Sequence, residues 1–152
     1  MGIFSVLNTS SSGLSAQRLR LDVIADNIAN ATTTRTTEGG PFRKSRVILK
    51  TRGDQPQFKT DLLPEAMKPS VGSGVRVFQV EKDMENPTRF VYDPAHPDAI
   101  KYGEKAGYVE MPNVNVVTEM VDMIEASRAY EANSTVIQSA KAMFNRALDI
   151  IR

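Results

Sequence analysis

The run Asp93-Pro94-Ala95-His96-Pro97-Asp98 sets two carboxylates around the chain's single imidazole, the nearest the residue types come to a metal site or an acid–base pair. A metal needs more ligands than this on a defined scaffold, and Pro94 and Pro97 stiffen the segment into a turn, so the turn is the simpler reading. Gly72-Ser73-Gly74 and Gly39-Gly40-Pro41 lack the further glycines, the lysine and the strand-to-helix setting of a phosphate loop. Thr34, Ser45 and the other hydroxyls have no His, Lys or Asp arranged about them as a nucleophile requires. Arg43, Lys44, Arg46, Lys50 and Arg52 form a basic cluster whose alternation fits either an acidic partner or a strand with one solvated face.

Composition points the same way. The 152 residues contain no Cys and one His, which removes disulfides, thiolate zinc sites, cysteine nucleophiles and most imidazole chemistry. Lys plus Arg (19) nearly balance Asp plus Glu (18), so there is no cationic excess for nucleic acid or an anionic membrane. No apolar run approaches the roughly 18 residues that span a bilayer. The start, Met1-Gly2-Ile3-Phe4-Ser5-Val6-Leu7, has neither the basic region nor the apolar length of a signal peptide, and Val6 makes it a poor myristoylation signal. The expectation is a non-enzyme without cofactor, metal or small-molecule substrate, either cytoplasmic or exported without a cleaved signal.

The elements that remain are two amphipathic ends around a different middle. Leu7, Leu14, Leu21 and Ile28 recur at seven-residue intervals, with Ile3 and Ile24 four residues ahead of their neighbours. Helix formers from Ala16 to Arg20 and the absence of proline predict a helix over about 11–30. The Asn8-Thr9-Ser10-Ser11-Ser12 cluster competes for backbone hydrogen bonds and favours a cap or turn before it. Val116, Met123, Tyr130, Ile137, Phe144 and Ile151 form a longer stripe. The row beside it holds Glu119, Ala126, Asn133, Ala140 and Ala147. Pro112 with Asn113 and Asn115 supplies a start, and acidic residues precede basic ones along the dipole, so a second helix is expected over 115–151, roughly 55 Å long at 1.5 Å per residue.

All eight prolines lie between Thr32 and Pro112. Thr32 to Pro41 reads as a linker, and strands are expected within 42–50, 74–80, 88–92 and 107–109. A long loop is expected over 51–73. The fold class is therefore α+β: terminal helices pairing as an antiparallel coiled coil, with a small irregular β domain between them. The division is 1–31, 32–112 and 113–152. Ser10, Gln17, Ser127, Asn133 and Ser134 interrupt the helical seams, while Leu19, Val23, Val117, Ile124 and Val136 put apolar groups on further faces. Helices apolar on more than one face have more than one neighbour, which points to a self-assembling structural protein. A cytoplasmic module that docks a partner helix is the alternative.

These residues also carry a resemblance. Ser12-Gly13-Leu14-Ser15-Ala16-Gln17-Arg18-Leu19-Arg20-Leu21-Asp22-Val23-Ile24-Ala25-Asp26-Asn27-Ile28-Ala29-Asn30 resembles the N-terminal signature of the flagellar rod and hook axial family. Glu38-Gly39-Gly40-Pro41-Phe42, Val91-Tyr92-Asp93-Pro94-Ala95-His96-Pro97-Asp98, Gly107-Tyr108-Val109 and Pro112-Asn113-Val114-Asn115 are similar to its proximal-rod branch. The helix from Glu119 to Asn133 is similar to that branch's C-terminal helix. The resemblance implies a subunit of the periplasm-spanning rod that packs with itself and other rod proteins, passes through the flagellar export apparatus and transmits torque. It singles out Leu14, Leu21, Ile24, Ile28, Met123, Tyr130, Ile137 and Phe144 as assembly contacts. Asn27 and Asn30 would satisfy polar groups where the first helix gives way to the middle.

Overall fold

The computed structural model describes residues 3–52 and 74–151. Its elements are α1 (Ile3–Ala29), β1 (Ser45–Thr51), β2 (Val75–Lys82), β3 (Arg89–Tyr92), β4 (Tyr108–Met111) and α2 (Val116–Ile151). The expected loop over 51–73 lies almost wholly outside the described residues; Thr51 closes β1, and the Arg52 N–H donates to the Gly74 carbonyl at 2.9 Å.

Helix α2 begins where the sequence places its cap. The Asn115 Oδ1 accepts from the N–H groups of Val117 (3.0 Å) and Thr118 (3.4 Å), and the Asn115 carbonyl takes the Glu119 N–H at 3.0 Å. Helix α1 is longer than the spacing predicts, running unbroken through Asn8 to Ser12 to its start at Ile3. The hydroxyls of that cluster bond back along the helix rather than ending it: Ser12 donates to the Thr9 carbonyl (2.7 Å) and Ser15 to that of Ser11 (3.1 Å). Tertiary packing overrides the local preference at the cluster itself, since Ser10 is buried and the Ser12 Oγ takes the Val75 N–H.

The helices pair antiparallel. Asn27 meets Glu119, Gly13 meets Asn133, and Leu7 shares a groove with Ala140, so the start of α1 lies against the end of α2. Small side chains let them approach closely. A Cβ on Gly13 would stand 3.0 Å from the Asn133 Nδ2, and Ala126 and Ala140 are buried.

The middle forms two antiparallel hairpin sheets. β1 pairs with β2 in the register Val47↔Val80 and Thr51↔Val75, with a bulge between Ile48 and Leu49, and β3 pairs with β4 through Tyr92↔Tyr108. β2 starts hard against α1, where the Ser12 Oγ accepts from the Val75 N–H at 3.1 Å. Gly74 makes this possible: its φ is +95°, and a Cβ there would lie 2.3 Å from the Ser12 Oγ. Among the described residues the buried side chains include Ala16, Ile24, Val47, Val109, Ala126 and Ala140, joined by the polar Ser10, Asn27 and Glu119.

Candidate assembly interface

The sequence singles out ten residues for assembly, and the structure treats them unequally. Ile24 and Asn27 are buried; Leu14, Leu21, Ile28, Asn30, Met123 and Ile137 are half-buried; Tyr130 and Phe144 are 39% and 41% exposed. Within this chain the buried row of α2 is the one beside the large stripe, namely Glu119, Ala126 and Ala140 with Asn133 half-buried. The large side chains flank the seam rather than fill it.

At the end of the pair nearest the sheets, the seam is polar. The Asn27 amide acts on β1 as a neighbouring strand would: Nδ2 donates to the Ser45 carbonyl and Oδ1 accepts from the Ser45 N–H, both at 2.9 Å. The same Nδ2 also donates to the Glu119 Oε2 at 3.1 Å. Glu119 is 1% exposed, and its other oxygen lies 2.5 Å from the Lys44 Nζ. A carboxylate buried alone would be costly, and one cation with one amide donor compensates it. Three segments distant in sequence thus meet at one carboxylate, beside a cavity of about 170 Å³ whose walls include Arg20, Val47 and Asp122. Asn30 works locally, donating to the Asp26 carbonyl (3.0 Å) and Oδ1 (2.9 Å) and accepting from the Thr33 hydroxyl (3.2 Å).

Apolar size along the helix rows does not single out Glu119 or Lys44. The signal was present, since a single carboxylate heads a row otherwise made of alanine and asparagine.

The opposite end is apolar and open. Phe4, Leu7, Ile137, Ala140 and Phe144, with Lys141, line a groove of about 340 Å³. At the sheet end, by contrast, exposed apolar groups lie on the outside of α2, where Val116, Val117, Met120, Val121 and Ile124 are all exposed along its first turns.

The segment around His96 is a turn that anchors the chain after α1. Asp93 caps it through the Ala95 N–H (3.1 Å), and the His96 Nδ1 accepts from the Asp98 N–H (3.1 Å). The Asp98 carboxylate accepts from the Thr34 hydroxyl (2.8 Å) and faces Arg35 at 3.6 Å. No cluster that could hold a metal occurs among the described residues. The basic cluster is dispersed: Arg43 donates to the Asn86 carbonyl (2.9 Å), Lys44 turns inward to Glu119, and the Lys50 Nζ sits 3.3 Å from the centre of the Phe78 ring. Nearby, hydrogen bonds from the Asn86 side chain and backbone hold the Asp83 carboxyl below the usual carboxylate range. Among the described residues no helix is long and apolar enough to cross a membrane.

Two family models match the ends of the chain: flagella basal body rod protein over residues 7–35, and flagellar basal body rod FlgEFG protein C-terminal over residues 105–150. The chain is 57% identical over 152 residues to the flagellar basal-body rod protein FlgC of Borreliella burgdorferi, covering all of this chain and 99% of that one. It is 39% identical over 156 residues to FlgC of Bacillus subtilis, covering 99% of each. Against FlgC of Salmonella typhimurium it is 35% identical over 150 residues, covering 99% of this chain and 98% of that one. With most of each helix matched by a rod-protein model and likeness that runs end to end through the hairpins between them, the chain belongs to the FlgC family of flagellar basal-body rod proteins, structural subunits of the flagellar basal body.

Proposed function

We propose that the chain is a proximal-rod subunit whose terminal helices complete their packing against other rod proteins and further copies of itself, and that torque passes through this side-by-side contact. The observation that supports this reading is the apolar surface left on the helix pair: the groove between Phe4, Leu7, Ile137 and Phe144, and the exposed row from Val116 to Ile124. Large apolar side chains on an otherwise polar helix are accounted for when a neighbour covers them. In this reading Leu14, Leu21, Ile24, Ile28, Met123, Tyr130, Ile137 and Phe144 are contacts of the assembled helix layer, and Asn27 and Asn30 shape the exit from α1. Segments 1–31 and 113–152 form that layer, and 32–112 lies outside it. The subunit has no catalytic role, reaches the periplasm through the flagellar export apparatus without a cleaved signal, and resides in the periplasm-spanning rod.

Ile137→Asp tests the reading. A carboxylate in the groove should abolish motility and remove the protein from purified basal bodies, while the isolated variant keeps its helical circular dichroism. Normal motility with normal incorporation would sink the assignment of this groove to assembly.

A further inference from the structure

We infer that the hydrogen bond between Asn27 and Glu119 sets the register of the helix pair, so that these two residues decide which turn of α1 lies against which turn of α2. The inference concerns the chain's own helices and stands whether or not the rod assignment does.

The remainder of the seam repeats. The buried row of α2 steps by seven residues through Ala126, Asn133 and Ala140 and continues to Ala147, with Glu119 at its head. Sliding one helix along the other by seven residues, roughly 10 Å, leaves Gly13 facing Ala126 or Ala140, either of which it accepts, and the large flanking residues recur at the same interval. Asn133 in turn exchanges Gly13, where a Cβ would stand 3.0 Å from its Nδ2, for Arg20 or Val6, so close packing opposes a slip at that one contact and discriminates weakly along the rest of the row.

Asn27 and Glu119 break the repetition. Asn27 is 1% exposed, and its Nδ2 has two hydrogens, one given to the Ser45 carbonyl and one to the Glu119 Oε2. After a seven-residue slip in one direction Asn27 faces Ala126, which has no acceptor, and in the other it faces Pro112, ahead of α2. The buried amide loses a partner in either case, and the carboxylate loses both its amide donor and Lys44; in the second alignment Arg20 comes opposite the carboxylate, so there the penalty falls on the amide. A polar pair inside an apolar seam fixes alignment through the penalty of leaving it unpaired. Because the same amide clasps both backbone groups of Ser45, the register is also tied to the strand that leads into the hairpins.

Disulfide trapping reads the register directly, since the chain has no cysteine of its own. Gly13→Cys is combined with Asn133→Cys to report the native alignment, and with Ala126→Cys or Ala140→Cys to report the two slipped ones, these last also carrying Asn133→Ala so that the new side chain at 13 meets no amide; cross-links are counted both within a chain and between chains. With Glu119 intact the native pair should dominate. In Glu119→Ala, which makes the head of the row like the rest, the preference should fall about ten-fold, the factor carried by a hydrogen bond to a charged group. In Glu119→Gln, which keeps an acceptor oxygen within reach of Asn27, the native preference should return. A folded Glu119→Ala protein that still cross-links only at 13 and 133 would overturn the inference. Should the alanine variant fail to fold, the glutamine variant decides: a retained native preference supports the inference, and a lost one assigns register to charge and overturns it.

Discussion

The two ends of the helix pair are built on opposite principles. Where α1 meets the sheets, the contact is polar and buried: Asn27 bonds Ser45 and Glu119, and Lys44 stands beside the Glu119 carboxylate, around a cavity of about 170 Å³. At the far end, Phe4, Leu7, Ile137 and Phe144 surround an open apolar groove, and Phe4 is 79% exposed. The first end gains its stability from groups that would be costly to leave unpaired, so its buried seam closes within one chain while Val116, Val117, Met120, Val121 and Ile124 on the outside of α2 stay exposed. The second gains little until something covers it. A subunit that must fold singly and then join others benefits from keeping these tasks at separate ends of the same helices.

The sharpest way to break this contrast is at the polar end. Asn27→Ala strands the Ser45 N–H and carbonyl and removes the donor to the buried Glu119 carboxylate, three hydrogen bonds in one truncation. The expected loss is about 2–4 kcal/mol of folding stability, read as a fall in the urea midpoint of the isolated protein. A loss below about 1 kcal/mol would mean that water replaces the amide and that this end is not closed.

The middle of α1 should respond less. Gly74→Ala meets both a positive φ and the Ser12 Oγ, so β2 must retreat from the helix. About 1–3 kcal/mol is expected. Ser12→Ala in the same background relieves the collision but not the backbone strain, so it should restore part of the loss and leave the remainder.

Much of this arrangement was legible in the residues. Pro112, Asn113 and Asn115 marked the start of α2 to within a residue, because a cap is a local chemical event that depends on one side chain and two N–H groups. The four strands follow from β-branched runs between prolines and glycines, and for the same reason their bounds fall close to those observed. The extra length of α1 was hidden because Asn8 to Ser12 locally favour a cap, and only tertiary contacts distant in sequence, the burial of Ser10 and the bond from Val75 to Ser12, outweigh that. The buried carboxylate was hidden differently. Ranking helix rows by apolar size finds the stripe with the largest side chains, whereas two helices that approach closely bury the row with the smallest. Glu119 therefore read as a favourable charge near a helix start, which it also is, and its partners at Asn27 and Lys44 lie too far away in sequence for spacing to connect them.

Amide exchange compares the two ends without mutation. Both belong to the same helix, so beyond the first turn, whose N–H groups have no carbonyl a turn back, a gradient in protection along α1 reports tertiary closure. Residues 24–29, beside Asn27 and Val47, should exchange with protection approaching that of global unfolding. Residues 7–9, beside the open groove, should exchange by local fraying, about ten-fold faster or more. Uniform protection from residue 7 to residue 29 in the dilute protein would show that the groove end closes unaided.

The smallest expected effect is at the groove itself. Phe144 is 41% exposed and already meets water, so Phe144→Asp forfeits only part of an aromatic burial in the isolated chain. Its stability should move by no more than about 1 kcal/mol. Set beside the loss of incorporation expected for a carboxylate in this groove, that small shift separates the two ends of the helix pair by their use: a side chain that contributes little to one chain's fold and is required by the assembly faces a neighbour. A loss in Phe144→Asp as large as that in Asn27→Ala would place the groove within the folding core and remove the distinction between the ends.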